Sequence, residues 1–153
     1  MGYLGVKHKE YKPNDELYTP PWVFETLAID FDLDVCSPVL GLPYLPAKKW
    51  FHAGDDGLAQ KWQGRVWCNP PYSSPKLWVE KFIEHNNGIM LAPFSKSAWY
   101  HKLWNSEAGI VPMPVNMKFL NLMGEAKSIF LATALYAFGA ESIKAVNRIG
   151  KAR

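Results

Sequence analysis

The sequence predicts an α/β sandwich on a mostly parallel sheet, with an antiparallel hairpin at one edge. Three observations lead there. Short apolar runs of strand character, "FDLDVCSP", "RVWCN" and "GIMLAP", alternate with helical segments, the order that builds strand–helix–strand units. Between two of them, "SPKLWVEKFIEHNNG" spaces Leu77, Trp78, Phe82 and Ile83 along one face of a helix. Finally, "GIVPMPVNMKFLNL" and "SIFLATALYAF" are joined only by "MGEAK", which is too short for a crossover and suits antiparallel pairing.

In chain order, residues 1–12 are expected to be poorly ordered. "DELYTPPWVFETLAID" reads as a turn and then a short helix, because Pro20 and Pro21 suit a helix start and Trp22, Phe24 and Leu27 follow as its apolar face. "FDLDVCSP" alternates apolar and acidic residues before a turn, which is a strand signal. "GLPYLPAKK" is loop, "KKWFHA" a short strand, and "DDGLAQKWQG" a turn with one helical turn. "RVWCN" is a strand that must stop at Pro70, since proline has no N–H for the ladder. Gly88 is expected to cap the helix before "GIMLAP", and Ser95 to N-cap the helix in "SKSAWYHKLWNS". "ESIKAVNRI" closes the chain as a helix.

At 153 residues the whole chain, 1–153, is read as one domain with a substantial core and no separate recognition domain. Its 48% hydrophobic and 20% charged residues are those of an ordinary globular protein. The 14% aromatic content fits either a core of large side chains or stacking surfaces. A formal charge of +3 permits contact with a polyanion without demanding it. Lys7, Lys9 and Lys12 at one end, and Arg148, Lys151 and Arg153 at the other, are either solvated termini or phosphate contacts. Cys36 and Cys68 are too few for a disulfide framework and close apolar runs, so buried thiols are expected. His52, His85 and His101 lack metal-ligand spacing, and no metal is expected. The opening "MGYLGVKHKEY" has no apolar signal core, and the most apolar run, "SIFLATALYAFG", is too short to span a bilayer. A cytoplasmic protein without a membrane partner is therefore expected.

In open sheets of this kind, ligands bind beyond the carboxyl ends of the strands. Polar turns follow Val35, Cys68 and Ala92, so Asp34, Asn69 and Ser95 should line one edge. The middle turn, "NPPY", is chemically distinctive. The Asn69 side-chain oxygen and the Pro70 carbonyl are two acceptors on a stiff backbone, supported by Pro71, and Tyr72 adds a flat ring. Such a set suits the exocyclic amine of a planar heterocycle. That nitrogen is a poor nucleophile while its lone pair is delocalised into the ring. Holding both N–H bonds out of the ring plane frees the lone pair, with catalysis by orientation and dipoles rather than by a tuned base.

With these residues in place the chain resembles the small phage DNA N-6-adenine-methyltransferase (Dam-like) family, and "NPPY" is similar to motif IV of the S-adenosylmethionine-dependent amino-methyltransferases. The blocks "YTPPWVFETL", "FDLDVCSP", "DDGLAQKW", "WCNPPYSSPKLWVEKF" and "IMLAPFSKSAWYHKLW" follow that family's order over most of the length. The resemblance implies a compact Rossmann-like methyltransferase fold with S-adenosyl-L-methionine as methyl donor. It makes Asn69, Pro70, Pro71 and Tyr72 the catalytic turn. Thr19 and Pro20 would lie beside the methionine end of the donor, and Asp34 would end the first motif's strand. Asp56 matches the acidic position near the donor's adenine, with Asp55 an equal candidate. "CSPVLG" replaces the glycine-rich loop of other methyltransferases, so a simple backbone cradle is not implied.

The implied partner is DNA, double-stranded, with the adenine flipped out of the stack and laid against Tyr72. Lys76, Lys96 and Lys118 are candidate phosphate contacts. Short loops such as "SKSAWY" and "PMPVNMKF" leave room for only low or very short sequence specificity, and protection of phage DNA from restriction would be the role. The same turn also suits cytosine N4, RNA adenine or a protein amide. A catalytically inactive nucleic-acid-binding module is the alternative of a different class.

Overall fold

The computed structural model describes residues 17–153. The expectations for residues 1–12, including Lys7, Lys9 and Lys12, lie outside the described residues. The element that organises the rest is a five-stranded sheet made of β1 (Leu33–Asp34), β2 (Val66–Cys68), β3 (Gly88–Pro93), β4 (Gly109–Pro112) and β7 (Thr133–Phe138), in the order β1-β2-β3-β7-β4. β1, β2 and β3 run parallel, while β7 is antiparallel to both β3 and β4. The sheet is therefore mixed. The chain from Ala47 into the "KKWFHA" run follows β1 in parallel through bridges at Phe31–Ala47 and Asp34–Trp50. The Asp34 N–H donates to the Lys49 carbonyl at 2.9 Å, and the Phe51 N–H to the Asp34 carbonyl at 2.8 Å.

The edge hairpin differs from expectation. β4 is the edge strand and pairs antiparallel with β7. "MGEAK", however, closes a separate two-stranded ribbon of β5 (Phe119–Leu120) and β6 (Ala126–Lys127). The reason is burial: all six residues of β7 are buried, as an interior strand requires, whereas Ala126 and Lys127 are exposed. Pro112 and Pro114 end the apolar run as a ladder strand. The chain between β4 and β7 becomes an excursion carrying the small ribbon.

Side chains alternate across the sheet. Val66, Cys68, Met90, Ala92 and Tyr136 face α2 (Lys76–His85) and α3 (Ala98–Trp104) through Trp78, Phe82 and Leu103. Trp67, Ile89, Leu91, Leu135 and Ala137 face α1 (Pro21–Leu27) and α4 (Ala140–Val146) through Phe24, Leu27 and Val146. Trp67 is fully buried, with the Phe24 ring edge-on at 4.8 Å and Phe31 at 5.7 Å; such arrangements add to area burial.

Local details depart from the sequence reading for identifiable reasons. The buried stripe of α2 is Trp78, Val79 and Phe82, and Leu77, one step around the helix, is 58% exposed. In α1 the inward residue beside Phe24 is Val23, with Trp22 turned outward. Asn86, not Gly88, caps α2: its φ is 58° and its N–H donates to the Phe82 carbonyl at 3.0 Å. Gly88 opens β3 with φ 140°, where a Cβ would stand 2.2 Å from the Val66 carbonyl oxygen. Ser97 occupies the N-cap position of α3, and Ser95 instead accepts the Ser97 N–H at 3.1 Å. The "DDGLAQKWQG" stretch forms turns without a helix.

Gly88→Ala should cost roughly 2–3 kcal/mol, because rigid backbone on a neighbouring strand must move. Gly124→Ala, at φ 78° with nothing within 4 Å of the added Cβ, should cost about 1 kcal/mol from conformation alone. Urea midpoints of the two variants measure the difference.

Candidate active site

The sheet register brings the predicted turns together. Asp34 is opposite Trp67 and Cys68 is opposite Met90, so Asp34 and Asn69 leave neighbouring strands at the same edge. Beyond Cys68 the double proline peels the chain off the sheet, and the Ser74 N–H closes the turn on the Pro71 carbonyl at 3.2 Å. Pro70 and Pro71 are buried and Tyr72 is half-buried. Ser95 follows β3 at the same edge but is occupied with Ser97.

Asn69 is 3% exposed. Its amide Nδ2 donates to Thr19 Oγ1 at 3.0 Å, and its Oδ1 has no hydrogen-bond partner among the described residues. A buried acceptor left unmade is costly and uncommon. Thr19 is held from three sides. As a residue before proline it is driven to extended backbone. Its neighbour Tyr18 exchanges two backbone hydrogen bonds with Leu120 at 2.7 and 2.9 Å. The Thr19 carbonyl accepts the Tyr44 hydroxyl at 2.6 Å. Burial and, next, the charge of Asp34 push the Tyr44 phenol up to about 12, so it remains a donor.

Tyr72 is pinned too. Its hydroxyl donates to the Leu91 carbonyl at 3.2 Å, burial holds the phenol well above its ordinary range, and its ring meets Phe119 edge-on at 6.5 Å. Phe119 also lines an apolar recess of about 270 Å³ with Phe94, Met113, Met117 and Phe130.

Asp34 is buried, and its carboxylate accepts the Cys36 N–H at 3.2 Å. Burial raises its pKa to about 7, against the partial opposition of that hydrogen bond. It forms one wall of a cavity of about 160 Å³ otherwise lined by Leu40, Leu42, Leu45 and Trp50, among others. Asp55 and Asp56 follow the ribbon that runs beside β1. The Asp55 carboxylate is engaged within its own turn, accepting the His52 N–H at 3.0 Å with His52 Nε2 at 3.3 Å, and Asp56 sits at φ 53°.

Lys76 opens α2, Lys96 follows β3, and both are exposed. Lys118 is exposed on the excursion and donates to Ser128 Oγ. Cys36 and Cys68 are buried thiols. Among the described residues, no three or more His, Cys, Asp or Glu side chains gather as a metal site, and no helix is long and apolar enough to cross a membrane.

Sequence reasoning passed over Tyr44, Trp50 and Phe119. The signal available for Tyr44 was an aromatic residue set between Pro43 and Pro46 in an otherwise featureless loop. For Phe119 there was none, since its partner Tyr72 is 47 positions away.

Comparison with known proteins accords with this geometry. A DNA N-6-adenine-methyltransferase of Escherichia phage T1 is 39% identical over 69 residues, 40% of this chain and 29% of that protein. A DNA N-6-adenine-methyltransferase of Haemophilus phage HP1 is 32% identical over 96 residues, 56% of this chain and 54% of that protein. The chain thus spans about half or less of the length of these relatives. No solved structure matches it. The sequence model of DNA N-6-adenine-methyltransferase (Dam) matches residues 7–121, a stretch that takes in Thr19, Asp34 and the Asn69–Tyr72 turn, and the chain belongs to that family.

Proposed function

We propose that the protein is a DNA adenine-N6 methyltransferase of compact Rossmann-like design, working on a flipped adenine with low or short sequence specificity. The observation that carries this is the unmade acceptor on buried Asn69, beside the rigid Pro70 carbonyl and the pinned Tyr72 ring. In this role the amine of the base donates one N–H to Asn69 Oδ1 and the other to the Pro70 carbonyl. Two fixed acceptors hold the nitrogen out of conjugation, and its lone pair becomes available. Asn69 is buried, and in such surroundings fixed dipoles count most and need no reorganisation. Protein groups do not have to take up the amine proton before the new bond forms.

S-adenosyl-L-methionine would supply the electrophilic sulfonium methyl. The cavity beyond β1 fits one end of such a donor: an acidic wall at Asp34, anionic above about pH 7, between apolar Leu40, Leu42 and Leu45 suits amine or hydroxyl donors on an apolar body. Thr19, which is hydrogen-bonded to Asn69, and Pro20 would lie beside the methionine end of that donor, as the family resemblance implies. Asp55 and Asp56 would meet the adenosine part. With its carboxylate already engaged by His52, Asp55 is better suited to shape the turn, which leaves Asp56 as the freer acid.

DNA would approach the edge that presents Lys76, Lys96 and Lys118. The recess between Phe94 and the excursion gives an apolar wall beside Tyr72 for bases, and Phe130 there is fully exposed. Readout through so short an excursion limits specificity to a few base pairs. Protection of phage DNA against restriction is the role this would serve.

Nucleoside mass spectrometry of DNA and RNA from expressing cells tests the substrate: N6-methyladenine in DNA is expected, and N4-methylcytosine or methylated RNA instead would overturn it. Asn69→Ala should lower turnover by roughly 10²–10³-fold while donor affinity, measured by calorimetry, stays near wild type.

Asp34 ties stability and binding to pH. Its folded pKa of about 7 lies above the ordinary carboxylate value of 3.8, so between those values the folded protein holds the extra proton. Stability should therefore fall as pH rises through that window, and Asp34→Asn should flatten the slope of urea midpoints. A ligand that binds the carboxylate shows the opposite trend: donor affinity should rise with pH up to about 7 and lose that dependence in Asp34→Asn.

Lys96→Ala should weaken DNA binding evenly across sequences and reduce the slope of log K against log salt by about one. An unchanged slope would assign Lys96 to solvent.

A further inference from the structure

We infer that Thr19 is a positioning residue for Asn69: its buried hydroxyl anchors the inner end of the Asn69 amide and so holds the outer end in place for an incoming amine. The inference rests on the reading that Asn69 Oδ1 receives the substrate amine. It assigns Thr19 a task other than the donor contact that the family resemblance implies for it.

A side-chain amide is nearly symmetric in shape, and half a turn about its last torsion exchanges oxygen for nitrogen. The two orientations have opposite chemistry. With Oδ1 outward, the side chain accepts from an incoming amine. With Nδ2 outward it meets that amine donor to donor, and the amine cannot be held. A fixed acceptor on the inner side that takes Nδ2 leaves Oδ1 facing outward, and that is the arrangement here.

Thr19 Oγ1 is that acceptor, at 3.0 Å from Nδ2. It is fully buried, so water does not compete for the amide. It is also immobile. The Tyr18–Leu120 bridge holds the backbone on one side, and Pro20 begins α1 on the other. The Tyr44 hydroxyl pins the carbonyl between them. These are the conditions for a group that acts by holding another within a narrow geometry. A threonine kept for packing alone would need no acceptor facing Nδ2, and valine would fill the same volume.

The experiment compares Thr19→Val, which keeps shape and removes the acceptor, with Thr19→Ser, which keeps the acceptor. Three quantities are read: turnover at saturating donor, donor affinity by calorimetry, and hydrogen exchange of the Asn69 side-chain amide by ¹⁵N NMR. Thr19→Val is expected to lower kcat by roughly 10- to 100-fold and leave donor affinity within about twofold. It should also strip exchange protection from the Asn69 Nδ2 protons. Thr19→Ser should recover most of the turnover and the protection. Should Thr19→Val fail to fold, Thr19→Ala against Thr19→Ser carries the same comparison.

Weaker donor binding with unchanged kcat at saturation would overturn the inference and make Thr19 a donor contact. Unchanged exchange of the Asn69 amide would overturn it as well, since another group would then hold the orientation. A wild type that methylates no DNA defeats the functional reading instead, and the amide exchange, which needs no turnover, still decides whether Thr19 orients Asn69.

Discussion

One buried amide sets the conditions for the rest of the molecule. Asn69 is buried, its nitrogen donates to Thr19, and its oxygen has no hydrogen-bond partner among the described residues. A lone acceptor in a dry place lowers stability, and it persists only where surrounding structure leaves it no alternative. Much of the fold near the site does that work. Pro70 and Pro71 fix the backbone on which Asn69 leaves the sheet. Trp67, immediately before Cys68, is locked between Phe24 and Phe31, so β2 cannot slide and carry Asn69 with it. In the proposed role it is the substrate amine that would satisfy this acceptor.

Sheet order explains why the partners meet. Because β1, β2 and β3 are parallel neighbours, their carboxyl ends fall at one edge, and a one-residue slip would turn every inward side chain to the wrong helical layer. The alternation of Val66, Trp67 and Cys68 between the two layers excludes such a slip. The excursion between β4 and β7 adds the second tie. Its strand β5 bridges Tyr18 beside Thr19 and supplies Phe119 to the ring of Tyr72. One short ribbon therefore supports both the residue that holds the amide and the ring that would face the base.

Much of this was legible in the chain itself, and the failures have causes. "RVWCNPPY" announces a buried strand ending in a rigid turn, because proline chemistry is local. α2 was legible as a helix, but its buried stripe was misjudged by one position: Leu77 and Trp78 are equally apolar, and only tertiary packing selects between them. Gly88 looked like a cap because it follows a helix, whereas the need for glycine comes from the Val66 carbonyl on another strand. The hairpin was misplaced for a related reason. "MGEAK" does make a turn, but the strands it joins are two residues each, and the place of β7 inside the sheet depends on β3, far away in sequence. The larger errors are therefore non-local, whereas the Ser95 cap and the helical turn in "DDGLAQKWQG" were local signals that the structure does not use.

The same distinction separates the parts of the site. Asn69 to Tyr72 are four consecutive residues whose chemistry can be deduced from their identities. The partners that make the chemistry work come from elsewhere: Thr19 from before α1, Tyr44 from a loop, Leu91 from β3 and Phe119 from the excursion. Each contributes through backbone geometry or a hydrogen bond that composition does not record. The electrostatic design follows from this. Among the described residues no three or more His, Cys, Asp or Glu side chains gather as a metal site, and burial raises the Asp34 pKa to about 7. In the proposed role it is a pair of fixed acceptor dipoles that acts on the amine. Fixed dipoles work only if their supports do not relax, so in this protein the distant contacts that immobilise the turn matter as much to the chemistry as the turn itself.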